Sequence, residues 1–293
     1  LGRQLRVRES GEVPVYDFFS TPEETKDYGD RVVEIDESVK DIRPYEIAIA
    51  VKGKRIDEPT LKDIIQTQEK LCWNFGPKRR SIAIGVFRSD LLTYPIKYLG
   101  ADPDSTRFVP LQESREMSLR EMVTDIPKGK EYGYIVQDFD RYPYLEDSVG
   151  YALSFPPVIN SAYTGAVQVG DENLFIEMTG TELKDLILTA NIVACDLADA
   201  GFTVLPVKMV YPFDTEFGRE IVAPFYFQQP IDVELEDAHR LLGAELSIDE
   251  AQDALRHMGV RSEASGNTLH VEVPPYRNDF LHPVDVIEDI MMG

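Results

Sequence analysis

What most limits this chain is the way its two hydrophobic periods alternate. Leu183, Leu186, Ile187, Ile192, Val193 and Leu197 recur at helical spacing, and Gly201 sits where a C-terminal glycine stop belongs. Thr179 and Thr181 are candidate N-caps for that helix. Residues 173–178 before it alternate as a strand does, and residues 202–211 and 221–227 after it read as further strands. Strands and helices interleave without a regular βαβ rhythm. The pattern predicts an α+β fold with a mixed or antiparallel sheet and argues against a doubly wound one.

The remaining segments fit that class. Residues 45–51 read as a strand ending at Gly53, residues 58–71 as a helix carrying Leu61, Ile64, Ile65 and Leu71, and residues 81–87 as a buried strand. Residues 98–150 are richer in Pro, Gly, Asp and Tyr, with a short helix at 118–123 and a strand at 132–136. The strand at 150–155 is stopped by Pro156-Pro157. Residues 1–40 hold acidic runs, Gly and Pro with little periodicity and read as a linker or wrapping arm. A boundary falls near Gln228-Gln229-Pro230. Beyond it the pattern is strand, two short helices, strand and a final helix, with a capping box at Ser247-Ile248-Asp249-Glu250 and a strand at 267–273. Residues 228–293 thus resemble a compact winged-helix-like module, a DNA-binding type of fold. Internal repeats are absent.

Charge narrows the partners. Asp and Glu number 52 against 30 Lys and Arg, a net charge of −22 over 293 residues, which disfavours non-specific attraction to nucleic acid or anionic lipid. The distribution is uneven, because residues 51–100 carry ten bases and five acids. There Lys70 lies near Trp73, and Lys78, Arg79 and Arg80 are consecutive, which suits either a solvated loop or a basic patch beside a stacking ring. No apolar run is long enough to span a bilayer and no secretory signal is visible, so a soluble, cytoplasmic protein without membrane partners is expected. Cys72 and Cys195 are too few for a disulfide framework, lack zinc-ligand spacing and are expected to be reduced. The start at Leu1 and the stop at Gly293 read as a piece of a longer polypeptide.

Three constellations could carry chemistry. Asp279, Asp285, Glu288 and Asp289 follow Pro274-Pro275-Tyr276-Arg277, and if residues from about 283 are helical, the last three fall at i, i+3 and i+4 on one face. Such repulsion calls for a hard divalent cation or a basic partner; otherwise the run is a solvated acidic face with Asp279 as cap. Pro156-Pro157-Val158-Ile159-Asn160-Ser161, with Thr164, places short polar groups at a sheet end, or is simply a turn bonded to its own backbone. Glu177-Met178-Thr179-Gly180-Thr181 places a carboxylate and hydroxyls at a strand-to-helix junction, suited to an anion or to plain capping. His239, His257, His270 and His282 all fall in the last module, and no nucleophile elbow or phosphate loop occurs. If the central domain hydrolyses something, it does so by positioning a water with polar groups and not with an activated nucleophile.

These motifs together are recognisable. Gln68-Glu69-Lys70-Leu71, Lys78-Arg79, Ile84-Gly85, the Pro156 to Ser161 segment, Phe175 to Thr181, and Pro274 to Asp279 through Asp285, Glu288 and Asp289 resemble, in the same order, the β subunits of phenylalanyl-tRNA synthetases of the archaeal and eukaryotic type. The resemblance implies an editing, tRNA-binding domain over 41–227, the third and fourth modules of such a subunit, and the fifth module over 228–293. It implies hydrolysis of tyrosine wrongly esterified to tRNA(Phe), with an editing pocket of Gln68, Lys70, Arg79, Asn160, Ser161, Thr164, Glu177, Thr179 and Thr181, in which Glu177 reads the phenol hydroxyl. RNA contact falls to Lys78, Arg79 and Arg80. It further implies a magnesium ion on Asp279, Asp285, Glu288 and Asp289, shared with an α subunit in an α2β2 enzyme whose ATP is bound elsewhere. Aminoacylation itself belongs to the whole enzyme, a phenylalanine–tRNA ligase. Many relatives have histidine at the position of Cys72, a further arginine at Pro77 and a His-Asp or Tyr-Asp pair at Phe87-Arg88, so the basic strip is altered here. Two other readings are a non-catalytic RNA-binding and assembly module, and a free-standing trans-editing deacylase.

Overall fold

A computed structural model describes residues 6–7 and 9–293. They divide into two units, Phe18–Phe225 and the described residues up to Asp17 together with Tyr226–Gly293. The larger unit contains β1 (Val32–Ile35), β2 (Tyr45–Lys52), α1 (Glu58–Asn74), β3 (Ile82–Arg88), β4 (Ile96–Ala101), β5 (Arg107–Phe108), β6 (Met117–Ser118), α2 (Leu119–Asp125), α3 (Pro127–Tyr132), β7 (Tyr142–Glu146), β8 (Ala152–Phe155), β9 (Ile159–Asn160), β10 (Leu174–Gly180), α4 (Leu183–Asp199), β11 (Thr203–Leu205), β12 (Val207–Val210) and β13 (Glu220–Ala223).

Two sheets organise it. One is mixed, in the order β13-β12-β1-β4-β7-β8-β9, with β1 parallel to both β12 and β4; the other is antiparallel, β11-β2-β10-β3. Helix α4 packs on β2 and β10 and buries eleven of its residues. The opposite face of the four-stranded sheet looks onto the seven-stranded one, from which Ser154 of β8 bonds Glu177 and Met209 of β12 meets the Ala48 N–H.

Four sequence expectations are corrected. The linker over residues 1–40 does not hold for its described part, since β1 lies in the middle of the larger sheet with Val33 and Ile35 buried; four residues are too short to show a period. Residues 1–5 and 8 of that stretch lie outside the described residues. The strand at 132–136 is instead the end of α3 and a 3-10 turn, Gly133–Ile135. Gly129 and Gly133 pack so closely on α2 that an added Cβ would collide with the Met122 carbonyl and the Val123 side chain, a tertiary contact that overrides the β propensity of Tyr, Ile and Val. The strand at 202–211 splits at Pro206, which has no N–H for a ladder, so β11 joins the small sheet and β12 the large one. Neither Thr179 nor Thr181 caps α4: Thr179 lies within β10, and Glu182 holds the cap position.

The smaller unit contains β14 (Ile231–Glu234), α5 (Leu235–Leu242), α6 (Ile248–His257), β15 (Arg261–Ser265), β16 (Thr268–Glu272) and α7 (Pro283–Met292), with sheet order β14-β16-β15. Its core includes Val233, Leu255, Leu269, Val271, Val286 and Ile290. The strand β15 has no apolar alternation to betray it and exists by pairing with β16 across the Gly266 turn. Arg256 and Arg261 donate to the carbonyls of Gly11, Val13 and Pro14, which ties residues 11–14 to this unit. No described helix is long and apolar enough to cross a membrane, and Cys72 and Cys195 are buried thiols.

Candidate functional site

The register of β2, β10 and β3 puts Ala48, Glu177 and Gly85 in one row and Glu46, Thr179 and Ala83 in the next. Alternate residues share a face, so both rows point toward the seven-stranded sheet. Glu177 therefore has neighbours no larger than a methyl group on either side. A Cβ on Gly85 would lie 2.5 Å from Glu177 Oε1 and 2.6 Å from the Phe87 ring, so the missing side chain is the space the carboxyl occupies.

Glu177 is 3% exposed. Ser154 Oγ donates to its Oε1 at 3.3 Å, while Oε2 is buried without a hydrogen-bond partner. Burial pushes the carboxyl up to about 8, against the opposing pull of Arg43, the Ser154 hydroxyl and Arg79, which favours its protonated form. Arg43, itself buried, donates from Nε to Thr179 Oγ1 at 2.9 Å, from Nη1 to the Arg80 carbonyl at 2.8 Å and from Nη2 to the Thr179 carbonyl. Glu46 is fully buried, with neither side-chain oxygen hydrogen-bonded, and burial together with Glu177 raises its carboxyl well above the ordinary range. A neutral, dry carboxyl with one open oxygen can exchange a hydrogen bond with a hydroxyl brought by a ligand.

The basic strip follows α1. Lys78 and Arg79 take left-handed backbone angles, φ 57° and 65°, a conformation that side chains rarely adopt without a local reason. It turns Arg79 inward. Its Nη1 donates to the carbonyls of Pro157 and Val158 at 3.1 and 3.3 Å, and its guanidinium stands 4.4 Å over the Tyr132 ring. Lys78 stands 5.2 Å over Trp73 and Arg80 6.0 Å over Tyr134, and both rings are largely exposed. A cavity of about 410 Å³ opens here, lined by Lys70, Trp73, Lys78, Arg79, Lys128 and Tyr132 with Glu69 and Glu131 among its other walls. Bases interleaved with aromatic rings suit single-stranded nucleic acid.

Glu177 and Thr179 thus share one face of β10, where Arg43 bonds Thr179, and Arg79 lies on the Pro157 and Val158 carbonyls. Lys70 lines one cavity with Arg79, and Asn160 pairs across the sheet with Ser154, which bonds Glu177; the other candidates are engaged elsewhere. Gln68 donates to the Ile84 carbonyl at 2.5 Å along the open edge of β3 and lines a cavity with Ile84, Val86 and Ile176, on the helix side of the sheet. Ser161 is buried, its Oγ accepting from the Tyr163 N–H, and the Thr164 hydroxyl donates to the Ala152 carbonyl. Ser161 thus bonds its own turn, while Thr164 ties that turn back to β8. Asn160 is half-buried in β9, and Thr181 is exposed beyond β10. Arg79 is half-buried and committed to the Pro157 segment, which leaves Lys78 and Arg80 as the outward bases of the triplet. Arg43, Glu46, Ser154, Lys128 and Tyr132 escaped sequence reading. The one available signal was Glu46, a carboxylate inside an otherwise apolar strand.

The acidic cluster is divided. Asp279 and Asp289 meet on Arg277, whose Nε and Nη2 donate to Asp279 at 2.6 and 2.7 Å and whose Nη1 and Nη2 donate to Asp289 at 3.0 and 3.2 Å. Asp285 Oδ2 accepts the N–H groups of Leu281 and His282 at 2.8 and 2.7 Å, capping α7. Glu288 is exposed. Among the described residues no group of three or more His, Cys, Asp and Glu side chains is placed to hold a metal ion. The four carboxylates expected to hold magnesium are not gathered at one point: Asp279 and Asp289 meet on Arg277, Asp285 holds the head of α7 and Glu288 is exposed.

Comparison with known proteins follows the same lines. Residues 231–293 match the model of the tRNA synthetase B5 domain. The phenylalanine–tRNA ligase beta subunit of Borreliella burgdorferi (strain ZS7) is 42% identical over 295 residues, covering 100% of this chain and 52% of that protein. The corresponding subunit of Borrelia garinii subsp. bavariensis is 43% identical over 296 residues with the same coverage. This chain spans about half the length of these curated relatives. A crystal structure of an N-terminal fragment of the phenylalanyl-tRNA synthetase beta subunit from Pyrococcus horikoshii superposes with a TM-score of 0.91 at 35% identity, covering 99% of this chain and 80% of the fragment.

Proposed function

This chain belongs to the phenylalanyl-tRNA synthetase β-subunit family, and we propose that its larger unit hydrolyses tyrosine wrongly esterified to tRNA(Phe). One observation carries the reading: Glu177 is a buried carboxyl, pushed up to about 8, with one open oxygen, seated in the space that Ala48 and Gly85 leave free. A phenol hydroxyl completes its hydrogen bonding. Phenylalanine offers nothing to that oxygen and leaves it unpaired, which is the asymmetry that lets a polar site reject an apolar analogue. Thr179 and Arg43 hold the floor of that space, and Arg79 fixes the Pro156-Pro157 segment at its side. With no activated nucleophile there, hydrolysis falls to a positioned water.

The 3′ end of the tRNA enters over the basic and aromatic cavity, where Trp73 offers a stacking face and Lys70, Lys78 and Lys128 offer phosphate contacts. The smaller unit contacts an α subunit. Leu281, Val284, Met291 and Met292 are all at least half exposed, and Val284, Glu288, Met291 and Met292 share a stripe of α7 at helical spacing. ATP-dependent aminoacylation belongs to the whole α/β enzyme.

The deciding experiment compares deacylation of Tyr-tRNA(Phe) by the parent and by Glu177→Ala. The variant is expected to lose about 5- to 150-fold in preference for the tyrosyl over the phenylalanyl ester, the equivalent of about 1–3 kcal/mol for one buried hydrogen bond. A variant that clears Tyr-tRNA as fast as the parent removes Glu177 from this role.

A further inference from the structure

We infer that Asp279 and Asp289 are held as a metal-free pair by Arg277, whose guanidinium stands where a divalent cation would stand, while Asp285 caps α7. The count of donors decides it. Each of the four oxygens of Asp279 and Asp289 accepts one N–H from Arg277, at 2.6 to 3.2 Å. Paired N–H bonds to both carboxylates are a geometry that a planar guanidinium supplies and a point charge does not. Asp289 is almost fully buried, its side chain 2% exposed, and the Arg277 side chain is only 20% exposed. The guanidinium is also stacked 4.4 Å from the Phe280 ring. Asp285 has another task, holding two backbone N–H groups at the head of α7.

Magnesium demands about six oxygen ligands at near-octahedral geometry. Asp289 has both oxygens on Arg277 and almost no exposed surface, so an ion on it would have to displace a largely buried guanidinium from that anion. Glu288, exposed and alone, cannot hold the ion by itself. Helical geometry explains the division. Val286, Ile287 and Ile290 of α7 are buried, and Asp289 falls on their side while Glu288, one residue earlier, faces out. The network links residues 277–279 to the second half of α7 and so fixes how this helix meets the loop before it. Arg277 is a positioning residue for that surface, and the surface is set without metal.

The test uses the full chain. Isothermal titration with MgCl2, and melting in EDTA against 10 mM MgCl2 at matched ionic strength, are expected to show no saturable heat and no shift in midpoint. A site with a Kd of about 0.1 mM would be about a hundredfold oversaturated there and would raise the midpoint measurably. Arg277→Gln is expected to melt several degrees lower in either buffer, and Arg277→Lys to recover only part of the loss. The titration is then repeated on the chain bound to its α subunit. Saturable magnesium binding, alone or in the complex, that disappears in Asp279→Asn or Asp289→Asn overturns the inference; binding that survives both substitutions supports it by placing the ion elsewhere. Because none of these readouts involves deacylation, failure here leaves the editing assignment to its own experiment.

Discussion

Glu46 and Glu177 stand in adjacent rows of one sheet face, and a single buried guanidinium, Arg43, is close to both rows. Protons compensate for the shortage of positive charge. In the unfolded chain both carboxyls ionise near pH 4.5, whereas in the fold Glu177 keeps its proton to about 8 and Glu46 is raised well above its ordinary value. Between those pH values these two groups bind more protons in the folded chain than in the unfolded one, so the stability they contribute is fully present below about pH 4.5 and is lost as the pH rises toward 8 and beyond. Glu46→Leu removes two unpartnered buried oxygens and is expected to stabilise the protein by about 1–3 kcal/mol at pH 8 and by less at pH 5. Urea unfolding at the two pH values measures this. A variant less stable than the parent at pH 8 would show that Glu46 has a native partner. Gly85→Ala tests the neighbouring row: its methyl would enter the space of the Glu177 carboxyl, so Tyr-tRNA deacylation should fall while the affinity for tRNA stays that of the parent.

Helix α4 shows how one polar residue can anchor an element. Asn191 is completely buried among apolar neighbours; its Nδ2 donates to the Phe225 carbonyl at 2.9 Å and its Oδ1 accepts the Phe225 N–H at 3.2 Å. Asn191→Ala leaves both backbone groups unpaired in the interior and should cost about 2–4 kcal/mol in chemical denaturation. A loss near zero would mean that water or another group replaces the pair. The sequence made α4 legible through its apolar period and hid this anchor, because an Asn inside a helical run carries no periodic signal. The same division runs through the chain. The strands β2, β3 and β10 and the helices α1 and α4 are long enough for period to declare them, whereas β1 and β15 are defined by the strands they pair with. The sheet change at Pro206 needed both ladders to be seen. In the site, Glu177 and Arg79 were readable from motifs, but Arg43, Ser154 and Lys128 reach it only through sheet packing and helix placement. The acidic run misled for a related reason: i, i+3 and i+4 share roughly a face, yet the roughly 100° between Glu288 and Asp289 is enough to put one in water and the other in the core.

At the scale of the whole molecule, a net charge of −22 repels a polyanion, and RNA has to be met by a local field. The cavity beside α1 supplies it, with Lys70, Lys78 and Lys128 on its walls and Arg80 nearby over Tyr134. Its reach is short, because at physiological salt charges are screened within about 8 Å, and the acidic remainder of the surface then confines binding to this patch. A lysine that neutralises one phosphate of single-stranded RNA contributes about 0.7 to the steepness with which log K falls against log salt. Lys78→Ala and Lys128→Ala should each reduce that steepness for a tRNA(Phe) acceptor end by about the same amount. Arg79→Ala should behave differently, since its guanidinium is held by the Pro157 and Val158 carbonyls and by the Tyr132 ring, inward of the phosphate path. It is expected to leave the slope nearly unchanged and to impair deacylation by loosening the segment beside Glu177. Equal slope changes for all three variants would place Arg79 on the RNA instead and return the whole triplet to nucleic-acid contact.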